Sequence, residues 1–224
     1  MTTTPERSMT RQKHSPLWPI ALHLIHVASL AVVALIIAAT GAAADPRANA
    51  DLVRASNFFN RIETARAPFY QYNADGTVSA GTFYMRRPGR LRMEFDDQDT
   101  LVIASAGQVA VFDGGSNTGR PQQFPLSKTP LGIILSPTVD LRKSEMITGH
   151  RATSDRIYVT ATDPDKPERG RAEFAFSRDP VVLETWVMHN ASGETVRVEF
   201  GDMETGLDLS AFMFNIRHET RSRR

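Results

Sequence analysis

The chain has 224 residues, no cysteine, and 26 basic against 25 acidic residues, for a formal net charge of +1. These values exclude disulfides, thiol nucleophiles, a lipidated N-terminal cysteine and a strongly electropositive nucleic-acid surface. The length and a 41% apolar fraction suit one domain with a sizeable core.

Arg7, Arg11 and Lys13 precede a mostly apolar run from Leu17 to Ala39, and Ala42-Ala43-Ala44 supplies an A-x-A step. That order is the design of a secretory signal cleaved after Ala44. The competing reading is a retained membrane anchor, because the run is long enough to span a bilayer. His23 and His26 interrupt it and small residues crowd its end, which favours cleavage. Loss of residues 1–44 takes away three basic residues and one acidic one, leaving 180 residues with 23 basic and 24 acidic. The carrier of whatever function exists is then a domain over 45–216, followed by a basic tail, 217–224, expected to lack order.

Ala48 to about Ile62 reads as a helix, because Leu52, Ala55, Phe59 and Ile62 recur at spacings of three and four and share one face. A strand over Ala67–Tyr72 turns through Asn73-Ala74-Asp75-Gly76 into another beginning near Val78. The next stretch, Gly81 to Phe95, reads as a hairpin. Phe83, Met85 and Arg87 alternate along its first strand and Leu91, Met93 and Phe95 along its second, so each set faces one side. Pro88-Gly89 between them is a strong turn signal. Arg87 falls in step with the apolar set, and a guanidinium there must be paired or solvated.

Short strands follow at Leu101–Ala104 and Val109–Asp113, with a turn at Gly114-Gly115-Ser116-Asn117. Pro130 and Pro137 bound a short apolar helix, and Val139 to Lys143 suits another helical turn. Strands resume at Arg156–Thr162, Ala172–Ser177, Leu183–His189 and Thr195–Phe200, the first two joined by a solvated loop over Asp163–Glu168. Many short half-buried strands with polar turns indicate a mainly β fold: a strongly curved antiparallel sheet or incomplete barrel, with helical segments available to cover its concave face.

Catalytic signatures are sparse. Of the histidines, only His150, His189 and His218 follow residue 44, and none lies near another His or a carboxylate at metal-ligand spacing. Gly114-Gly115-Ser116-Asn117-Thr118 approaches a G-x-S-x-G elbow but carries Thr in place of the last Gly, and no G-x-x-x-x-G-K-[ST] occurs. Asp96, Asp97 and Asp99 read as a solvated hairpin tip ahead of a cation site. The chain reads as a binding protein without cofactor, metal or nucleic acid, and as a monomer. Flexible, polarizable Met85, Met93 and Met188 suit an inner face that accepts variable apolar ligands, set against the plain alternative of packed core.

The run G-T-F-Y-M-R-R-P-G-R-L-R-M-E-F, residues 81–95, resembles the signature of the LolA family of periplasmic outer-membrane lipoprotein carriers. Asp113-Gly114, Pro130-Leu131-Gly132-Ile133-Ile134-Leu135 and the closing Phe212-Met213-Phe214 fit the same family in order, from about Asn49 to Ile216. The resemblance implies an unclosed β-barrel with a helical lid over an apolar cavity. It implies cargo of acylated outer-membrane lipoproteins, received from an inner-membrane ABC transporter and passed to an outer-membrane lipoprotein acceptor. It makes Phe83, Met85, Leu91, Met93, Phe95, Leu131, Ile134 and Leu135 the lining of the lipid cavity. Arg87 becomes the lid contact, reaching carbonyls near Leu131–Leu135, and a β-bulge in the strand would hand that contact to Arg86. Rival readings are a LolB-like acceptor, a sensor related to periplasmic anti-sigma regulators, and a secreted lipid hydrolase. The missing cysteine, the short chain and the missing nucleophile and base weigh against them in that order.

The leader reading has a direct consequence. N-terminal sequencing of protein released from the periplasm is expected to begin at Asp45, and recovery of residues 1–44 on washed membranes would show an anchor instead.

Overall fold

The computed structural model describes residues 46–96, 99–115 and 120–223. The leader, Asp97 of the acidic tip and Ser116-Asn117 of the turn after Gly115 lie outside these residues. Helix α1 spans Pro46–Arg61 and is followed by five strands: β1 Thr64–Tyr72, β2 Val78–Arg86, β3 Arg90–Phe95, β4 Leu101–Ser105 and β5 Gln108–Phe112. Strand β6, Gln122–Pro125, leads into a 3₁₀ turn at Leu126–Lys128 and a short helix α2 at Leu131–Ile134. Six strands complete the sheet: β7 Ile147–Ala152, β8 Arg156–Thr162, β9 Gly170–Ser177, β10 Leu183–Asn190, β11 Thr195–Phe200 and β12 Glu204–Thr205. A 3₁₀ turn at Ala211–Phe214 and helix α3, Ile216–Ser222, end the described chain.

All twelve strands form one antiparallel sheet in the order β6-β5-β4-β3-β2-β1-β11-β10-β9-β8-β7, with β12 beside the start of β1. The chain therefore starts at the centre, walks out to one edge, crosses to the other edge through residues 126–146, and walks back to the centre. The two edges, β6 and β7, do not pair, so the barrel is unclosed. The seam between the halves is β1 against β11, with Phe69 opposite Phe200. Pro68 sits at the end of that pairing. Its carbonyl accepts from Gly201 N–H at 2.9 Å, and the reciprocal N–H of such a pair is the one proline lacks. The chain leaves the ladder there and rejoins β1 as β12.

One face of the sheet carries the main core. Phe59, Phe69, Phe83, Met85, Leu91, Phe176 and Trp186 are buried in it together with Ile134 of α2 and Leu135, Val139 and Leu141 beyond it. Helix α1 buries Leu52, Ala55 and Phe59 as the spacing predicts, and Phe58 and Phe59 meet Phe176 edge-on. Asp51 is buried on the same helix, where Arg178 Nη2 reaches its Oδ1 at 3.0 Å and His150 Nε2 lies 3.4 Å from Oδ2.

The opposite face of β3–β5 is covered by the C-terminal segment. Phe214 and Leu209 pack there on Leu101, Ile103 and Phe112. The tail expected to lack order is helical in this structure: Asn215 Oδ1 accepts from His218 N–H at 3.0 Å, and Glu219 pairs with Arg92 at 2.9 Å and with Arg223 at 3.6 Å. Long-range pairing overrides composition. Strands β6 and β7 have no counterpart in the sequence reading. Both are edges, and Gln-Gln-Phe-Pro and Ile-Thr-Gly-His-Arg-Ala lack the alternation that one buried face imposes.

Gly81 shows how tightly the interior is filled. It faces Phe69 on one side and Phe95 on the other, and those two rings stack edge-on at 5.0 Å above it. A Cβ at Gly81 would lie 2.7 Å from the Phe69 ring and 2.0 Å from the Glu94 carbonyl oxygen. Gly81→Ala is expected to cost about 3 kcal/mol, read as a lower urea midpoint with an unchanged m-value. A variant as stable as the parent would show that the aromatic pair is free to move aside.

Candidate functional site

The β2–β3 hairpin ends in Arg87-Pro88-Gly89 with a cis Arg87–Pro88 bond. The register runs unbroken from Gly81 opposite Phe95 to Arg86 opposite Arg90, without a bulge. Alternation therefore carries Arg87 to the core side, where it is only 7% exposed. Its Nη1 donates to the Phe59 carbonyl in the last turn of α1, and its Nη2 donates to the Ser136 carbonyl at 2.6 Å. Longer contacts reach Asn60 Oδ1 and the Pro137 carbonyl, both at 3.4 Å. Nε is buried without a hydrogen-bond partner among the described residues.

No carboxylate among the described residues pairs with Arg87. The charge is answered by carbonyls: those at a helix C-terminus, which lack intrahelical donors and carry the negative end of the helix dipole, and those of the crossover. Burial lowers the pKa of this guanidinium from its ordinary value, but a guanidinium stays charged. Arg86 points to the other face and donates from Nη1 to the Leu209 carbonyl, so it fastens the C-terminal segment and does not touch the crossover.

Three more polar fastenings hold residues 126–141 over the sheet. Gly89, at φ +76° in the hairpin turn, donates its N–H to the Leu135 carbonyl at 2.8 Å. Asn60 brackets Val139, with Nδ2 on its carbonyl at 2.8 Å and Oδ1 accepting its N–H at 2.9 Å. Ser56 Oγ accepts Leu141 N–H at 3.0 Å. The Arg87 contacts fall on Ser136 and Pro137, one and two residues beyond the Leu131–Leu135 stretch expected from sequence; within that stretch the hairpin reaches Leu135 through the Gly89 backbone.

The eight apolar residues expected at a cavity come together. Phe83, Met85, Leu91, Met93, Ile134 and Leu135 are buried, and Phe95 and Leu131 are partly buried against them in the same cluster. In this structure they form packed core in which α2 fills the space over the strands. Met188, paired with Val196, is in line with Trp186 but 40% exposed, and lines a small apolar hollow of about 200 Å³ with Pro130 at the uncovered end of the sheet. No group of three or more potential metal ligands occurs among the described residues, and none of the described helices is long and apolar enough to cross a membrane.

The family described as outer membrane lipoprotein carrier protein LolA matches residues 60–217. The chain belongs to the LolA family. A LolA relative, the outer-membrane lipoprotein carrier protein of Methylococcus capsulatus, is 23% identical over 169 residues, covering 72% of this chain and 80% of that protein. Among solved structures, a LolA superfamily protein from Nitrosomonas europaea is 10% identical with a TM-score of 0.42, covering 75% of this chain and 97% of that one. A putative outer membrane lipoprotein-sorting protein domain from Vibrio parahaemolyticus is 12% identical with a TM-score of 0.44, at 76% and 98% coverage.

Ser56 and Asn60 escaped the sequence reading of this LolA chain, because their partners lie 85 and 79 residues away. Asp51 and Ser56, polar residues set on the buried stripe of α1, were the available signal. Asn60→Ala is expected to cost about 1–2 kcal/mol and to speed amide exchange at Val139 and Leu141 first. Uniform acceleration across the protein would mean that Asn60 serves global stability and does not fasten the crossover.

Proposed function

We propose that this chain is a periplasmic carrier of acylated outer-membrane lipoproteins, which it receives from an inner-membrane ABC transporter and passes to an outer-membrane acceptor. The observation that carries this reading is an apolar interior filled by a segment of the chain itself, residues 126–141, fastened by a few polar contacts centred on Arg87. Membership of the LolA family and the carrier relative support the cargo class.

The energetics favour exchange over simple binding. Leu126, Ile133, Ile134, Leu135, Val139 and Leu141 bury six aliphatic side chains from the crossover. At about 2 kcal/mol each, exposing them costs roughly 12 kcal/mol. An acyl chain of about 15 methylenes, at ~0.8 kcal/mol per methylene, recovers about the same on entering the vacated space. Cargo thus replaces the lid residues with little net gain, which lets a carrier without its own fuel release what it holds. In this role Phe83, Met85, Leu91, Met93 and Phe95 form the floor that acyl chains reach once Leu131, Ile134 and Leu135 withdraw. Arg87 favours the empty, closed state.

The test is transfer. The protein purified from the periplasm should carry acylated protein, identified by mass spectrometry, bind triacylated lipopeptide over its unacylated counterpart, and release no fatty acid. Arg87→Leu removes charge-assisted bonds of about 1.5–3 kcal/mol each, so it should retain cargo and slow transfer to the acceptor by about tenfold or more. Arg86→Leu should lower stability through the lost Leu209 contact and leave transfer rates alone. A transfer defect in the Arg86 variant with normal transfer from the Arg87 variant would sink the assignment.

A further inference from the structure

Beside the fastened hairpin lies a second feature that the carrier reading does not use. Arg90, the first residue of β3, faces outward next to α3, whose Arg217 and Arg221 stand four residues apart on one helical face. The three arginines line a common pocket of about 750 Å³ with Gln108, Gln123 and Asn215. No Asp or Glu among the described residues lines it, and none of the three arginines forms an ion pair there. Glu219, the carboxylate of α3, is turned away and engaged by Arg92 and Arg223. Three like charges thus converge on one hollow although the residues beyond 44 carry 23 basic and 24 acidic groups in all, and their mutual repulsion falls when an anion enters. Forked guanidinium donors with side-chain amides beside them match phosphate oxygens.

An adjoining groove indicates where such a phosphate comes from. Arg90, Ser105 and Ala106 also line a neighbouring hollow of about 590 Å³, walled by Leu126, Leu135 and Pro137 of the crossover and more apolar than polar. A protein lying on a bilayer through these arginines would set this more apolar rim beside the glycerol and upper acyl carbons of the lipid, where a free phosphate would have no use for it. We propose that Arg90, Arg217 and Arg221 bind the phosphate of an anionic glycerophospholipid headgroup, docking this face of the protein on a membrane surface. The proposal stands independently of the carrier reading, since it needs neither lipoprotein cargo nor lid opening.

The experiment is co-sedimentation of the purified protein with vesicles of phosphatidylglycerol and phosphatidylcholine mixed, against phosphatidylcholine alone, with soluble glycerol 3-phosphate titrated in a parallel NMR arm. The expected result is binding to the anionic vesicles only. It should fall about thirtyfold in Arg217→Gln/Arg221→Gln, because each basic residue near an anionic surface contributes about fivefold. Lys166→Gln/Arg169→Gln, an equal charge change on the exposed loop between β8 and β9, should bind as the parent does, and thermal melting should show both double variants folded. Equal losses in the two double variants, or no vesicle binding by the parent, overturn the proposal. Binding of glycerol 3-phosphate at Ser105–Gln108 and Asn215–Arg221 without vesicle binding overturns the lipid source and leaves a soluble phosphate site.

Discussion

A positive charge buried without a negative one to meet it organises this molecule. Arg87 finds acceptors for its two terminal nitrogens only because two separate pieces of backbone bring carbonyls to it: the last turn of α1 and the crossover at Ser136. Neither piece is local in sequence, so the charge acts as a test of assembly. If the helix is undocked or the crossover lifted, the guanidinium loses acceptors that no neighbouring carboxylate replaces, and a buried ion left in that state is costly. Closed packing and a charged hairpin tip are therefore one arrangement, and each supplies what the other lacks.

The same dependence explains why polar contacts matter where apolar area dominates the total. Hydrophobic burial is non-directional and accepts any filling of about the right volume. Side chains of the crossover and acyl chains are close to interchangeable by that measure. Hydrogen bonds from Arg87, Asn60, Ser56 and the Gly89 amide distinguish them, because a hydrocarbon chain offers nothing to those donors and acceptors. In the proposed carrier role, discrimination between an empty and a loaded state would rest on a handful of bonds, each of modest net value.

Much of this was legible before any coordinates. Period-two alternation placed Phe83, Met85 and Arg87 on one side because β2 runs without a bulge to the turn, and period-three-and-four spacing found the buried stripe of α1. The short helix between Pro130 and Pro137 appeared where the prolines bound it. What escaped was of two kinds. Edge strands β6 and β7 bury too little to be patterned. Contacts such as Leu141 with Ser56, or Glu219 with Arg92, join residues far apart in the chain and leave no local periodicity. The ordered C-terminal helix belongs to the second kind: its composition reads as a solvated tail, and its partners on β3–β5 give it a place.

The route of the crossover sets a mechanical limit. Residues 126–146 leave the ladder at one edge of the sheet, where Leu126 N–H bonds to the Gly107 carbonyl, and rejoin it at the other, where the Met146 carbonyl accepts Thr162 N–H. A segment tied at both ends is a strap, not a hinged door. It can bow outward or slacken as its middle contacts release, but it cannot swing clear of the concave face. Spreading the two wings of the sheet about the β1–β11 seam would draw it taut. Any guest in the interior thus remains under a loop of the host's own backbone, and can only be inserted or withdrawn lengthwise or past its flank.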